Sequence, residues 1–196
     1  MFELFRRGGP VMWPLLLCSL TALSVVIERI FFVLAERKRR SPQIVRDILG
    51  HVERGDHPAA QLAGLGTRDF VARVLTCALE HRGPGLSNAV MDASSSELDR
   101  FNRGLTVLDT IITLAPLLGL LGTVTGMIRT FGLLGGSELG APQAVTGGIA
   151  EALIATAFGL SIAITALVPF NFLNARLEKA RREIETAANK LELHFK

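Results

Sequence analysis

Apolar residues fall into three blocks along the chain, and charged segments separate them. Val11 to Ile27 carries no charge. After Glu28 and Arg29 the apolar run resumes from Ile30 to Ala35 and stops at the basic cluster Arg37-Lys38-Arg39-Arg40. The second block is uncharged from Thr110 to Ile128 and again, beyond Arg129, from Thr130 to Ser137. The third runs from Gly148 to Ala175 with Glu151 as its one charge. Each block approaches or exceeds the roughly 20 residues that a helix needs to cross a bilayer's hydrocarbon core. The pattern predicts membrane-spanning helices at 11–34, 108–134 and 147–172, with Trp13 as an interface anchor. Small residues at Ser19, Ala22 and Ser24 would suit a cleaved leader, but the apolar run continues past them to a strong basic stop.

The polar segments read as helical too. A tail at 1–10 precedes the first span. In the region 35–107, Pro42 suits a helix's first turn with Ser41 as its cap. Ile44, Ile48, Leu49 and Val52 then follow at helical spacing. Asp56-His57-Pro58 marks a break and a new start. Thr67 is the expected cap of a helix through Val71, Val74, Leu75 and Leu79, which Gly83-Pro84-Gly85 ends. A further helix begins near Leu86 and meets no obvious breaker before the second span, so it is expected to run on into it. The glycine-rich stretch 135–146 reads as a loop. In the tail 173–196, Leu177, Ile184 and Leu191 recur every seventh residue with Ala180, Ala187 and Ala188 between them. That pattern predicts a helix continuing the third span and packing on other helices. The expected fold is an all-α membrane protein: three transmembrane helices, a helical cytoplasmic domain between the first and second, and a helical cytoplasmic tail.

Composition agrees with this class: 49% of the 196 residues are hydrophobic, 20% are charged, and the mean hydropathy is +0.39. The net charge of +3 would suggest nucleic-acid binding in a soluble protein. Here Arg29, Arg37–Arg40, Arg100, Arg103, Arg176, Lys179, Arg181 and Arg182 flank the apolar blocks, whereas the 135–147 link holds no Lys or Arg. That asymmetry argues for a cytoplasmic middle domain and C-terminus, an N-terminus and link on the far side of the membrane, and no nucleic-acid partner; Arg6 and Arg7 count against it but are outnumbered. Cys18 and Cys77 lie in different environments, so no disulfide framework is expected. No His/Cys pair shows metal-ligand spacing, and His51 and His57 read as solvated. No nucleophile–base pair is visible, and Gly132–Gly140 lacks the Lys and Ser/Thr of a phosphate loop. No enzyme activity, cofactor or metal is therefore expected.

The chemistry concentrates in the second and third blocks. A short link makes the two helices antiparallel neighbours. Ala115, Gly119, Gly122, Thr123 and Gly126 form a small-residue stripe on one, and Ala152, Thr156, Gly159 and Ala163 form one on the other. Such stripes let helix backbones approach closely in lipid; the bland reading is packing alone, with Thr hydroxyls bonded to their own helices. Glu151 weighs against that reading, because an acid inside a span is costly and marks a functional site by default. Glu151 stands five residues outward of Thr156, roughly 7.5 Å, and Arg129 six outward of Thr123, roughly 9 Å. If the two threonines share a level, Arg129 and Glu151 can form an ion pair; the competing reading is an Arg129 that snorkels to the outer interface. Threonine cannot hold a mobile charge near neutral pH. A proton path here needs a titrating group near the membrane's middle, and Glu151 lies too far outward, which points to a carboxylate from another subunit.

Two stretches, Leu118-Gly119-Leu120-Leu121-Gly122-Thr123-Val124-Thr125-Gly126 and Gly148-Ile149-Ala150-Glu151-Ala152-Leu153-Ile154-Ala155-Thr156-Ala157, resemble the signatures of the ExbB/TolQ/MotA proton-channel family. The three-span layout resembles ExbB and TolQ more than MotA, which usually has a fourth span. The resemblance implies a homopentamer in the bacterial inner membrane whose second and third helices line a pore. It implies two copies of an ExbD- or TolR-like single-span partner within, whose membrane Asp carries the proton. Thr123 and Thr156 would face that Asp, and Glu151 would lie near the path. Protons are the implied coupling ion, with sodium an alternative, and a TonB-like periplasmic protein is the implied recipient of the work. A TolQ-like or motility stator subunit and a non-conducting membrane scaffold are the competing readings. Arg129 is not part of the family pattern, and its charge bears on how protons pass that level.

Overall fold

A computed structural model describes residue 5 and residues 8–81, 85–134 and 142–195. Among these residues it contains seven helices and no strand. They are α1 (Met12–Arg39), α2 (Pro42–Glu53), α3 (His57–Gly64), α4 (Phe70–Glu80), α5 (Leu86–Asn102), α6 (Leu105–Leu134) and α7 (Pro142–Leu193). Three of them, α1, α6 and α7, are long and apolar enough to cross a membrane. The chain divides into two compact units, one of Met1–Glu28 with Gly104–Phe172 and one of Arg29–Arg103 with Leu173–Lys196.

In the first unit, α1 places Met12, Leu15 and Ala22 inward, while Leu17, Leu117, Ile128, Leu153 and Val168 are exposed. Apolar side chains facing outward at this density suit lipid or another subunit, not water. Trp13 stands 65% exposed at the start of α1, its ring edge-on to Phe5. Pro116 and Pro169 lie inside continuous helices.

In the second unit, α2, α4, α5 and the tail half of α7 share one core. Ile48, Val52, Phe70, Leu75, Leu79 and Val90 pack with Ala180, Ile184, Ala187, Ala188 and Leu191. The seven-residue repeat of the tail thus marks its buried stripe.

Several boundaries differ from the sequence reading. Helix α1 runs on through the basic cluster to Arg39. Arg37, Lys38 and Arg39 in its last turn suit the partial negative charge of a helix C-terminus, and Pro42 disfavours helical backbone at Ser41. Ser41 is the N-cap of α2 but makes no side-chain cap bond. Asp56 caps α3, its carboxylate accepting from Ala59 N at 3.1 Å. The cap of α4 is Asp69 and not Thr67: Asp69 Oδ1 accepts from Val71 N (2.9 Å) and Ala72 N (3.2 Å). Thr67 instead accepts from Asp69 N at 3.2 Å. The expected stop at 83–85 falls largely outside the described residues, and α4 ends at Glu80. Helices α5 and α6 are separate, because Gly104 takes a φ of +81°, the left-handed conformation that ends a helix. In the predicted loop 135–146, residues 135–141 lie outside the described set. Residues 142–146 are helical, with Pro142 opening α7, where its missing N–H costs nothing. Of the 1–10 tail, residues 1–4 and 6–7 are likewise outside the described set.

Candidate functional site

The α6–α7 seam in the first unit is built on glycine and alanine. A Cβ on Gly119 would lie 3.0 Å from the Ala155 carbonyl oxygen and 3.0 Å from Thr156 Cα. One on Gly159 would lie 2.5 Å from the Ala115 carbonyl oxygen and 3.1 Å from Gly119 Cα. One on Gly126 would meet Ala152 Cβ at 3.1 Å and the Gly148 carbonyl oxygen at 3.3 Å. Backbone therefore rests on backbone here. Ala115, Ala152 and Ala155 are fully buried in the seam.

This closeness brings Thr123 and Thr156 into direct contact, each hydroxyl hydrogen-bonded to the other. Thr156 Oγ1 also lies 3.0 Å from the Gly119 carbonyl oxygen. Thr123 Oγ1 lies 3.3 Å from the same oxygen and 3.4 Å from that of Ala152. Two hydroxyl protons thus face more acceptors than they can serve, and each oxygen keeps lone-pair capacity. Both threonines are half-buried. By rotating, the pair can donate to or accept from a third group, but it cannot itself store a charge.

Nearer the C-terminal end of α6 than the threonines, Arg129 Nη1 donates to Glu151 Oε1 at 3.3 Å. Glu151 is 22% exposed and Arg129 is 60% exposed. The equal-level arrangement expected from counting helical rise is the one observed.

Two residues of this region escaped the sequence reading. Gly9, with a φ of +72°, lies so close to Glu151 that a Cβ there would overlap the carboxylate. Its only sequence signal was a Gly-Gly-Pro turn. Thr130, 2% exposed, donates from Oγ1 to the Gly126 carbonyl oxygen at 2.9 Å, and its side chain fills the space over Gly148. A fourth small-residue step at Gly126–Thr130 was the available clue.

The second unit holds its own polar centre. Asp69, fully buried, pairs with Arg40 and accepts from Ser41 N at 2.7 Å. Arg40 also pairs with Glu183 at 2.5 Å and lies over the Phe70 ring. Glu97 pairs with Arg73 and, at 2.6 Å, with Arg100. Burial pushes its carboxyl above the usual range, against the pull of the Arg73 guanidinium. His57 is not solvated as expected: it is half-buried and stacked on Phe195, with centroids 4.9 Å apart. His51 is half-buried beside Arg54. Cys77, Glu80 and His81, spaced i, i+3 and i+4 on α4, bring possible ligand atoms within 4.8 Å of one another. This corrects the reading that no Cys/His pair has ligand spacing. The set is largely exposed, and His81 Nδ1 is engaged 3.2 Å from the Cys77 carbonyl oxygen. Both cysteines are free thiols.

The family model for the MotA/TolQ/ExbB proton channel family matches residues 66–186, more than half of the chain and all of the α6–α7 seam. The chain belongs to this family. It is a membrane protein of a transport family, and its three long helices are of a length and composition to span. An ExbB-like biopolymer transport protein of Synechocystis sp. is 40% identical over 98% of this chain and 78% of its own length. A second from the same source is 34% identical over 96% and 92%. The Tol-Pal system protein TolQ of Haemophilus influenzae is 36% identical over 50% of this chain and 43% of its own length.

Proposed function

We propose that the chain is an ExbB-type subunit of a proton-driven motor in the bacterial inner membrane. Five copies would form a ring whose α6 and α7 line a pore. A dimer of an ExbD- or TolR-like single-span protein would occupy it and contribute a membrane Asp as the proton carrier. The observation that carries this reading is the Thr123–Thr156 hydroxyl pair, set in a seam too tight for any larger residue and half-open on one side. Such a pair can hand hydrogen bonds to a carboxylate that protonates and deprotonates, which is what a path lacking its own central acid requires. The Arg129–Glu151 pair stands outward of it and sets the charge at the periplasmic entrance. The pair is net neutral, so that entrance admits a proton at lower electrostatic cost than a lone Arg129 would.

Protons are the coupling ion in this reading, because the seam offers hydroxyls and carbonyls in pairs and no dense oxygen cage for sodium. Each charge crossing 100 mV releases about 2.3 kcal/mol. That energy turns the inner dimer, and the motion works on a TonB-like periplasmic protein in outer-membrane import. The N-terminus is periplasmic and the C-terminus cytoplasmic. The ExbB-like relatives match nearly all of this chain and TolQ half of it, which favours the ExbB-type role over the TolQ type.

Proton uptake by proteoliposomes holding the chain and its single-span partner tests the proposal. Thr156→Ala should assemble to the same mass yet lower uptake by about tenfold or more, the worth of a hydrogen bond to a charged group. Undiminished uptake in an assembled Thr156→Ala complex would contradict a path through the threonine pair, and an unaltered complex that takes up no protons would favour the scaffold reading.

A further inference from the structure

A recess in the second unit lies between the last turns of α1 and the start of the tail half of α7, with a volume of about 280 Å³. Four basic side chains line it: Arg37 and Arg40 from the end of α1 and just beyond, and Arg176 and Lys179 from α7. Phe70 and Phe101 form part of its apolar wall. Two acids share it. Glu183 is already engaged by Arg40 at 2.5 Å and Lys179 at 4.0 Å. Glu36 is 4% exposed, and neither of its carboxylate oxygens has a hydrogen-bond partner. Its nearest cations, Arg39 and Arg100, stand 3.9 Å away. Arg37 is exposed and makes no ion pair with a described residue.

Position along the helices narrows the occupant. Arg37 comes two residues after Ala35, and Arg176 one after Ala175, each within about 3 Å of the end of its apolar stretch. The headgroup layer on each face of a bilayer is about 5–7 Å thick. A second basic groove on the same face reaches Arg46, Arg182 and Lys190. Lys190, seventeen residues past Leu173, lies about 25 Å along the helix, too deep for a headgroup.

We infer that the recess binds the headgroup of an anionic phospholipid, its phosphate on Arg37 and Arg176 and a hydroxyl-bearing head donating to Glu36. Basic pockets beside membrane helices on the cytoplasmic side suit this chemistry. The apolar wall takes the glycerol end, and the buried carboxylate gains the donors it lacks. The carboxylate opposes the phosphate electrostatically, so a head without a donor is held less well. The inference needs only that the chain sits in a bilayer and is independent of the pore.

Native mass spectrometry of the full-length protein, taken from an equal mixture of phosphatidylglycerol and phosphatidylcholine, tests it. Phosphatidylglycerol should be retained preferentially. Replacing Arg37→Gln and Arg176→Gln should lower that preference about 30-fold, the product of a little over fivefold for each charge lost at a membrane surface. Arg37→Gln alone, a change at an exposed helix end, should lower it about fivefold. Arg46→Gln with Lys190→Gln removes equal charge from the deeper groove and should leave the preference intact. Equal retention of the two lipids, or equal loss in the Arg46/Lys190 control, would overturn the assignment. So would displacement of the lipid by millimolar inorganic phosphate, which would mark a site for soluble anions.

Discussion

At the scale of single residues, Asp69 shows how much one side chain can hold in place. Its carboxylate caps α4, accepts from Ser41 N and pairs with Arg40, all in full burial. Removing one partner of a buried pair leaves an uncompensated charge, so Asp69→Ala should cost about 3–5 kcal/mol in thermal or denaturant unfolding. Thr67→Ala should cost about 1 kcal/mol or less, since Thr67 accepts one bond from a turn N–H. Glu97 gives a pH signature. Burial raises its carboxyl above the ordinary value of 4.5 in the folded chain. Its stabilising contribution is therefore present below 4.5 and is lost as pH rises through the higher folded value. Unfolding midpoints should fall across that window, and Glu97→Gln should flatten the slope there. The capping role of Asp69 was not legible because Thr67 and Asp69 are both good caps two residues apart, and only the fold decides which meets the helix.

At the scale of elements, the α6–α7 seam was the most legible part of the chain. Small residues at helical spacing in two apolar blocks joined by a short link leave few other arrangements, and Gly119, Gly126, Ala152 and Gly159 all lie at the contact. Gly159→Val should prevent close approach and lower the yield of folded protein sharply, because its side chain would fall on the Ala115 carbonyl and the Gly119 backbone. Gly132→Ala, where a Cβ meets nothing within 4 Å, should leave stability unchanged within about 1 kcal/mol. Expression with size-exclusion profiles of the two variants checks both. Other boundaries were hidden for a physical reason. Gly104 ends α5 by taking positive φ, yet one glycine between two helical patterns is equally compatible with a continuous helix. Pro142 sat in a glycine-rich stretch that reads as loop, and a proline opens a helix as readily as it ends one. The contact of Gly9 with Glu151 joins residues far apart in sequence, and no periodicity reports such a meeting.

At the scale of the whole molecule, the chain combines a lipid-suited unit with a water-suited one. The apolar faces of α1, α6 and α7 carry exposed Leu17, Leu117, Ile128, Leu153 and Val168, whereas the second unit closes its own core around Ile184 and Leu191. The chain supplies hydroxyls, an ion pair and a packed frame, but among the described residues no acid at the level of the threonines. The proposed motor thus depends on a carboxylate from a second protein meeting Thr123 and Thr156. Cysteine cross-linking reads that meeting directly. In a Cys18→Ser, Cys77→Ser background, Thr156→Cys is paired with a cysteine replacing the partner's membrane Asp, and the assembled complex is oxidised in membranes. The expected result is a covalent subunit–partner product at Thr156→Cys and none at Val168→Cys, which is 71% exposed but twelve residues, about 18 Å, farther along α7. Equal yields at the two positions, or a product at Val168→Cys alone, would contradict a pore lined by the threonine pair.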